Sequence, residues 1–258
     1  MNDYLTVLGL SMLPALGNFV GGLLVEVFRY STRTLSLALY AAAGIVLAVI
    51  GMELMPQALE AEFPLLMILL FAGGAVFSIL IDRGIEHFHR QLKGEESDTP
   101  PVMIFLAPPV MIFLGAAVDL FTDGLIIGTG STIARELGLL LALAQTPSDV
   151  PEGFATIATF KQQGMSRPKR ILLSASLMLP VLLGATIGYW AVRSQPAVVK
   201  LGVLAFTAGI LLRVALDEII VQARKYRSNQ ETEEDAGGAL ALMAGFALFA
   251  LIDAYFEA

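Results

Sequence analysis

Apolar residues in this chain come in long unbroken runs. Eight of them are long enough to cross a bilayer as helices, near 4–28, 35–59, 64–85, 102–130, 132–160, 170–192, 199–223 and 236–257. The breaks carry turn and charge signals: Arg29-Tyr30-Ser31-Thr32-Arg33, Glu60-Ala61-Glu62, the polar stretch 86–101, Gln162 to Arg170, Ser194-Gln195-Pro196 and Arg224 to Asp235. A membrane barrel would need strands of about ten residues with alternating polarity, and these runs are too long and continuous for that. The pattern predicts an all-α membrane protein of eight transmembrane helices. It forms a single domain over 1–258 with a loop at about 86–101.

Composition agrees. The 258 residues are 56% hydrophobic and only 15% charged, with a mean hydropathy of +0.74, against about 25% charged for a soluble domain. A net charge of −7 with dispersed Lys and Arg argues against a nucleic-acid partner. The absence of cysteine excludes disulfides, thiolate metal ligands and cysteine nucleophiles. The opening Met1-Asn2-Asp3-Tyr4 has no basic segment, so the first run reads as a retained helix rather than a signal peptide.

Charge also orients the chain. Of the 16 Lys and Arg, twelve fall in the connections 1–2, 3–4, 5–6 and 7–8; the other side holds only Arg135, Arg193 and Lys200, and Arg213 lies within a span. Basic loops stay in the cytoplasm. The expected product is a multi-pass protein of the cell (inner or plasma) membrane, with both termini outside and the loop 86–101 inside. The lipid bilayer is its first partner, and a homodimer is admissible.

Two spans carry acids where a bilayer disfavours them: Asp119-Leu120-Phe121-Thr122-Asp123-Gly124 and Ser148-Asp149-Val150-Pro151-Glu152-Gly153. Overlaid, Asp123-Gly124 falls on Glu152-Gly153. A carboxylate at the bilayer centre costs roughly 2.5–3.5 kcal/mol, so four unpaired ones would cost on the order of 10–14 kcal/mol. Cations or protons must sit among them. Asp119 and Asp123 are four apart, as are Ser148 and Glu152, and such residues share a helix face. Asp149 and Glu152, three apart, are also neighbours. Adjacent antiparallel helices could thus present three or four carboxylate oxygens to one point, with Asp123 and Glu152 within about 6 Å, the range of strong charge coupling. Pro151 frees the carbonyl of Pro147 as a further ligand. The alternative is a protonated, hydrogen-bonded cluster that glues helices together. The ligands are all oxygen, which suits Mn²⁺ or Mg²⁺ over softer ions, although Zn²⁺ also accepts carboxylates.

An internal repeat adds to the picture. Ala43-Gly44-Ile45-Val46-Leu47 recurs as Ala208-Gly209-Ile210-Leu211-Leu212, and at the same offset Glu53 meets Glu218 and Gln57-Ala58 meets Gln222-Ala223. The copies lie in the second and seventh spans, which run in opposite senses. An inverted repeat of helices 1–3 and 6–8 around central helices 4 and 5 is a transporter signature; resemblance among small-residue membrane helices is the alternative.

These residues resemble the ZIP family of divalent-metal transporters (zinc/iron permeases). Ser148 to Gly153 is similar to the family's Asp-x-Pro-Glu-Gly in helix five. Asp119 to Gly124 is a degenerate match to its His-Asn-x-Pro-Glu-Gly in helix four. Ala43-Gly44 through Met55-Pro56 resembles helix two, and 207–222 resembles helix seven. The likeness covers nearly the whole chain. It implies passage of Zn²⁺, Fe²⁺ or Mn²⁺ into the cytoplasm through Asp119, Asp123, Ser148, Asp149 and Glu152, no cofactor beyond the transported ion, and no enzyme activity. It also implies a bundle holding helices four and five that slides against a scaffold of two and seven. The departures are specific. The helix-four His is Asp119 here, its Asn is Leu120, its Pro is Thr122 and its Glu is Asp123. In helix six, where the family often has Glu-Pro, Leu179 precedes Pro180. The resemblance therefore carries over one metal site rather than two, with Leu120 and Leu179 removing ligands of the second.

Other polar groups are less telling. His87 and His89 stand in the cytoplasmic stretch with Glu86, Glu95, Glu96 and Asp98, a weak capture site or ordinary loop residues. Glu231, Glu233, Glu234 and Asp235 read as a solvated acidic run. Arg213 needs a partner, with Asp217 one turn away; the pair either neutralises itself or gates the inner exit. Asn18, Glu26 and Asp82 are further candidates to line a route. Two other functions compete with transport: a non-transporting metal sensor, and an intramembrane aspartyl enzyme using Asp119 and Asp149. The second lacks the expected Gly-x-Gly-Asp signature.

Overall fold

The computed structural model describes residues 2–28, 31–93, 108–227 and 236–257. Among these residues the regular structure is entirely helical. Eight long helices account for it: α1 Asn2–Val27, α2 Thr32–Leu59, α3 Pro64–Lys93, α4 Pro108–Gly130, α5 Arg135–Gln162, α6 Arg167–Val192, α7 Ala197–Lys225 and α8 Ala236–Glu257. Seven of them hold stretches apolar and long enough to span a bilayer. The eighth, α5, is 28 residues long but is diluted by Gln145, Thr146, Ser148, Asp149 and Glu152.

Helix ends follow local chemistry. Ser31 caps α2 by accepting a hydrogen bond from the Arg33 N–H at 3.2 Å. Gly164, in the turn after α5, has φ +76°, a conformation an L side chain rarely adopts. In α6 the helix tightens at Leu177; Pro180 cannot donate to the carbonyl four residues earlier. The third helix runs on to Lys93 rather than ending near 85. No helix breaker occurs between Glu86 and Lys93, and Gly94 follows at once. The loop expected at 86–101 is thus helical at its start. Its remainder, with Glu95, Glu96 and Asp98, and the acidic run Glu231 to Asp235, lie outside the described residues, as do the side chains of His87, His89 and Asp82.

Two π-helical turns interrupt otherwise regular helices, Val49–Leu54 in α2 and Ala215–Ile219 in α7. They hold Glu53 and Glu218, the matched glutamates of the sequence repeat. Pro56 follows the first, and its ring displaces the carbonyl of Met52 from the regular ladder; no proline accounts for the second.

The helices pair through backbone contact at glycines. A Cβ on Gly21 of α1 would meet the Val150 carbonyl oxygen of α5 at 2.0 Å, and one on Gly124 of α4 would meet that of Val181 in α6 at 1.9 Å. Gly44 against α8 and Gly209 against α3 repeat the arrangement. Small residues let membrane helices approach this closely where apolar burial gives no net drive. The pairs are α1 with α5, α4 with α6, α2 with α8 and α3 with α7. The main core cluster joins α2, α4, α5, α7 and α8. Leucines and isoleucines at Leu65, Leu69, Leu172, Leu183, Ile187 and Leu251 face outward, an apolar exterior that suits lipid and not water. Where α1 begins and α6 ends, Tyr4, Tyr189 and Trp190 cluster, and the Arg193 guanidinium stands 3.9 Å over the Trp190 ring. Such aromatics collect at membrane interfaces.

Candidate metal pathway

The four acids expected from the sequence come together. Because α4 and α5 run antiparallel, residues at equal depth meet across the gap. Asp119 faces Glu152, and Asp123 faces Asp149, each pair within hydrogen-bonding reach. Asp123 and Glu152, expected to approach one another, are electrostatic neighbours, while the hydrogen-bonded partners are Asp119 with Glu152 and Asp123 with Asp149. Among the described residues, no three carboxylates meet as a formed metal cage.

The two pairs have different surroundings. Asp123 and Asp149 are buried, at 4% and 1% exposure. The Gln145 side chain donates from Nε2 to Asp123 Oδ1 at 2.7 Å. Ser148, also buried, donates its hydroxyl to the Gln145 carbonyl at 2.8 Å, so its lone pairs, not its proton, are left for an ion. Asp119 and Glu152 are only half-buried. They line a cavity of about 940 Å³ with Asn18, Leu120, Thr156, Thr159 and Gln162. Its other wall is α7, through Val214, Asp217, Gln222 and Lys225. Thr32, Gln162 and Lys225 stand at its rim, at the ends of α2, α5 and α7 that carry most of the basic residues. The acids are therefore reachable from the basic side.

No Lys or Arg is an electrostatic neighbour of the four acids among the described residues. The intramembrane arginine stands elsewhere. Arg213 Nε lies 3.3 Å from Asp217 Oδ2, and Nη1 donates to Ser78 Oγ at 3.5 Å. Glu26, at the end of α1, is held by a bidentate contact from Arg170 at 2.7 and 2.8 Å, with Arg167 Nε at 3.4 Å. Arg170 also donates to the Met165 carbonyl, and Lys161 donates to that of Val25 at 2.8 Å.

The two leucines expected to remove second-ion ligands part company. Leu120 borders the cavity and packs on Ala15, Leu177 and Val181. Leu179 is 60% exposed on the outer face. The face of α6 turned to α4 is set by Gly184, Ala185 and Gly188, which meet α4 backbone or receive it. Leu179, Leu183 and Ile187 then necessarily point away, and Leu177 and Val181 face Leu120. Leu179 is thus no vacated ligand position.

Gln145 was not singled out from the sequence. It lies one turn from Asp149 on the same face of α5, a spacing that could have flagged it. Asn18, a sequence candidate to line a route, does border the cavity; its place beside the acids was not legible, since nothing in the sequence tells what α1 packs against.

A bundle of membrane-length helices around a group of uncompensated carboxylates, open to one side, defines an integral membrane protein that handles cations. Residues 87–253 match the profile of the family described as ZIP Zinc transporter, and the chain belongs to that family. It is accordingly a transporter of divalent metal and not an enzyme. The chain is 28% identical over 246 residues to the zinc transporter ZupT of Shigella dysenteriae serotype 1 (strain Sd197), covering 94% of this chain and 95% of that protein. The same figures hold for the zinc transporters ZupT of Escherichia coli O7:K1 (strain IAI39 / ExPEC) and Escherichia coli O1:K1 / APEC.

Proposed function

We propose that the chain carries a first-row divalent ion, Zn²⁺, Fe²⁺ or Mn²⁺, into the cytoplasm through a single carboxylate site between α4 and α5. Asp119, Asp123, Asp149 and Glu152 supply the charge and Ser148 a neutral oxygen. The observation that carries this reading is that, among the described residues, no basic neighbour stands beside four acids at membrane depth. One divalent ion neutralises two of the carboxylates, and protons or a change of partner neutralise the rest. The buried pair Asp123–Asp149 is the station nearer the outside, and Asp119–Glu152 the station from which the ion leaves into the open cavity. The basic residues at the cavity's rim make that side cytoplasmic, with both termini outside.

An inverted repeat supports alternation of access. Exchanging α1 with α6, α2 with α7, α3 with α8 and α4 with α5 maps the four close helix pairs onto one another, and maps one π-helical turn onto the other. The zinc named for the relatives has to be weighed against an oxygen-only ligand set, which leans toward Mn²⁺ or Fe²⁺. Competitive uptake into proteoliposomes, with labelled Zn²⁺ against Mn²⁺, Fe²⁺ and Cd²⁺, ranks them. Binding without uptake of any of the four would replace the transporter reading by the sensor reading.

A further inference from the structure

We infer that Asn18 is a cation-ligating residue contributed by α1: its side-chain amide oxygen binds the ion as the ion leaves the Asp119–Glu152 pair for the cavity. The inference deepens the proposed function and rests on its carboxylate site.

Position comes first. Asn18 sits on the stripe of α1 that faces both acid-bearing helices. Ala15, three residues earlier, packs on Leu120 of α4, and Gly21, three residues later, abuts Val150 of α5. Residues three apart share a helix face, so Asn18 is held between these contacts. Its depth is fixed independently: a Cβ on Gly153 would lie 2.1 Å from the Asn18 carbonyl oxygen. Asn18 therefore stands level with Glu152, the residue before that glycine. It also borders the same cavity as Asp119 and Glu152.

Its chemistry is unexplained by packing. Asn18 is 3% exposed, and its Oδ1 is buried without a hydrogen-bond partner among the described residues. Buried polar atoms are normally satisfied, and an amide oxygen left bare at membrane depth weakens the fold. A divalent ion beside Glu152 supplies the missing partner. The amide oxygen is a hard, neutral donor of the kind that binds Mg²⁺, Ca²⁺ and Mn²⁺. Two carboxylates already neutralise a divalent ion. A third ligand without charge adds to its shell without trapping it, which a pathway residue must avoid.

The test uses the purified full chain and Cd²⁺ as the probe. The chain has no cysteine, so Asn18→Cys introduces its one thiol. Cd²⁺ should then produce the ultraviolet cadmium–thiolate charge-transfer band, and the band should vanish when Glu152→Gln is added. In parallel, Asn18→Leu, close in size to the native residue, should weaken Cd²⁺ binding by about tenfold, as losing a supporting ligand does in other metal sites. Should Asn18→Leu fail to fold, the smaller Asn18→Cys variant decides alone. No band, together with loss of Cd²⁺ binding in Glu152→Gln, overturns the role of Asn18 and leaves the carboxylate site standing. Undiminished Cd²⁺ binding in Glu152→Gln overturns the site itself, and the Asn18 inference with it.

Discussion

Glu26 and Glu152 are both carboxylates on membrane-length helices, and their neighbours make them opposites. The Glu26 side chain is 5% exposed and is clasped by Arg170, itself 9% exposed, with Arg167 and Lys161 close by. Its charge is answered within the protein. Glu152 stands beside Asp119, with Asp123 and Asp149 a turn away, and among the described residues no basic side chain answers any of them. The first arrangement fastens α1 to α5 and α6 at the basic end of the bundle. The second leaves a charge deficit that only a passing cation or protons can fill. Burial alone does not separate the fastening acid from the acids proposed to carry the ion; the sign of the neighbours does.

The largest effect should come from Glu152→Gln. The amide keeps the shape but removes one of the two charges proposed to face a divalent ion across the gap. Metal uptake into proteoliposomes should be abolished while the thermal unfolding of the protein is kept. Wild-type uptake by this variant would break the comparison at its functional end.

Glu26→Gln should reverse the pattern. It leaves Arg170 buried without its anion, and breaking one side of a buried pair costs about 3–5 kcal/mol. The low end is expected, because Arg170 keeps the Met165 carbonyl. Thermal or denaturant unfolding should register that loss, and uptake per folded molecule should stay near wild type. Abolished uptake in folded Glu26→Gln protein would show that this acid also belongs to the ion's route.

Asp119→His tests the chemistry of the inner pair more gently. Imidazole is the borderline ligand that favours Zn²⁺ over the harder Mn²⁺, and the change removes one negative charge. Competitive uptake of labelled Zn²⁺ against Mn²⁺ should shift toward zinc. An unmoved preference, or one that moves toward manganese, would mean that Asp119 does not touch the ion.

Much of this contrast was legible in the sequence, and the residues show why some was not. The acids of α4 and α5 were legible because carboxylates inside apolar runs are costly wherever the helices end up. Glu26 was visible too, but Arg170 is 144 residues away, and no local rule joins them. The depth pairing of Asp119 with Glu152 needed the register of two antiparallel helices, which spacing within each helix leaves free. Leu179 misled because a position carried over from a family says nothing about helix rotation; the small residues Gly184, Ala185 and Gly188 do. The extension of α3 to Lys93 is not legible from polarity, which ends the apolar part of a helix and not the helix.

The smallest effect should come from Asp217→Asn, and it probes a carboxylate between the two extremes. Asp217 is paired, as Glu26 is, through Arg213 at 3.3 Å, yet it lines the cavity, as Glu152 does. Its side chain is 59% exposed, so solvent screens the pair. An exposed i,i+4 ion pair contributes less than about 1 kcal/mol. Arg213 retains Ser78 when the carboxylate is lost, so no buried charge is abandoned. The unfolding temperature should therefore barely move. Uptake should fall modestly at low ionic strength, since one negative charge leaves the cavity wall, and the deficit should shrink as salt screens the wall. If Asp217→Asn instead abolished uptake at every salt concentration, an acid with a basic partner would be carrying the ion, and neighbouring charge would no longer divide the fastening acids from the transporting ones.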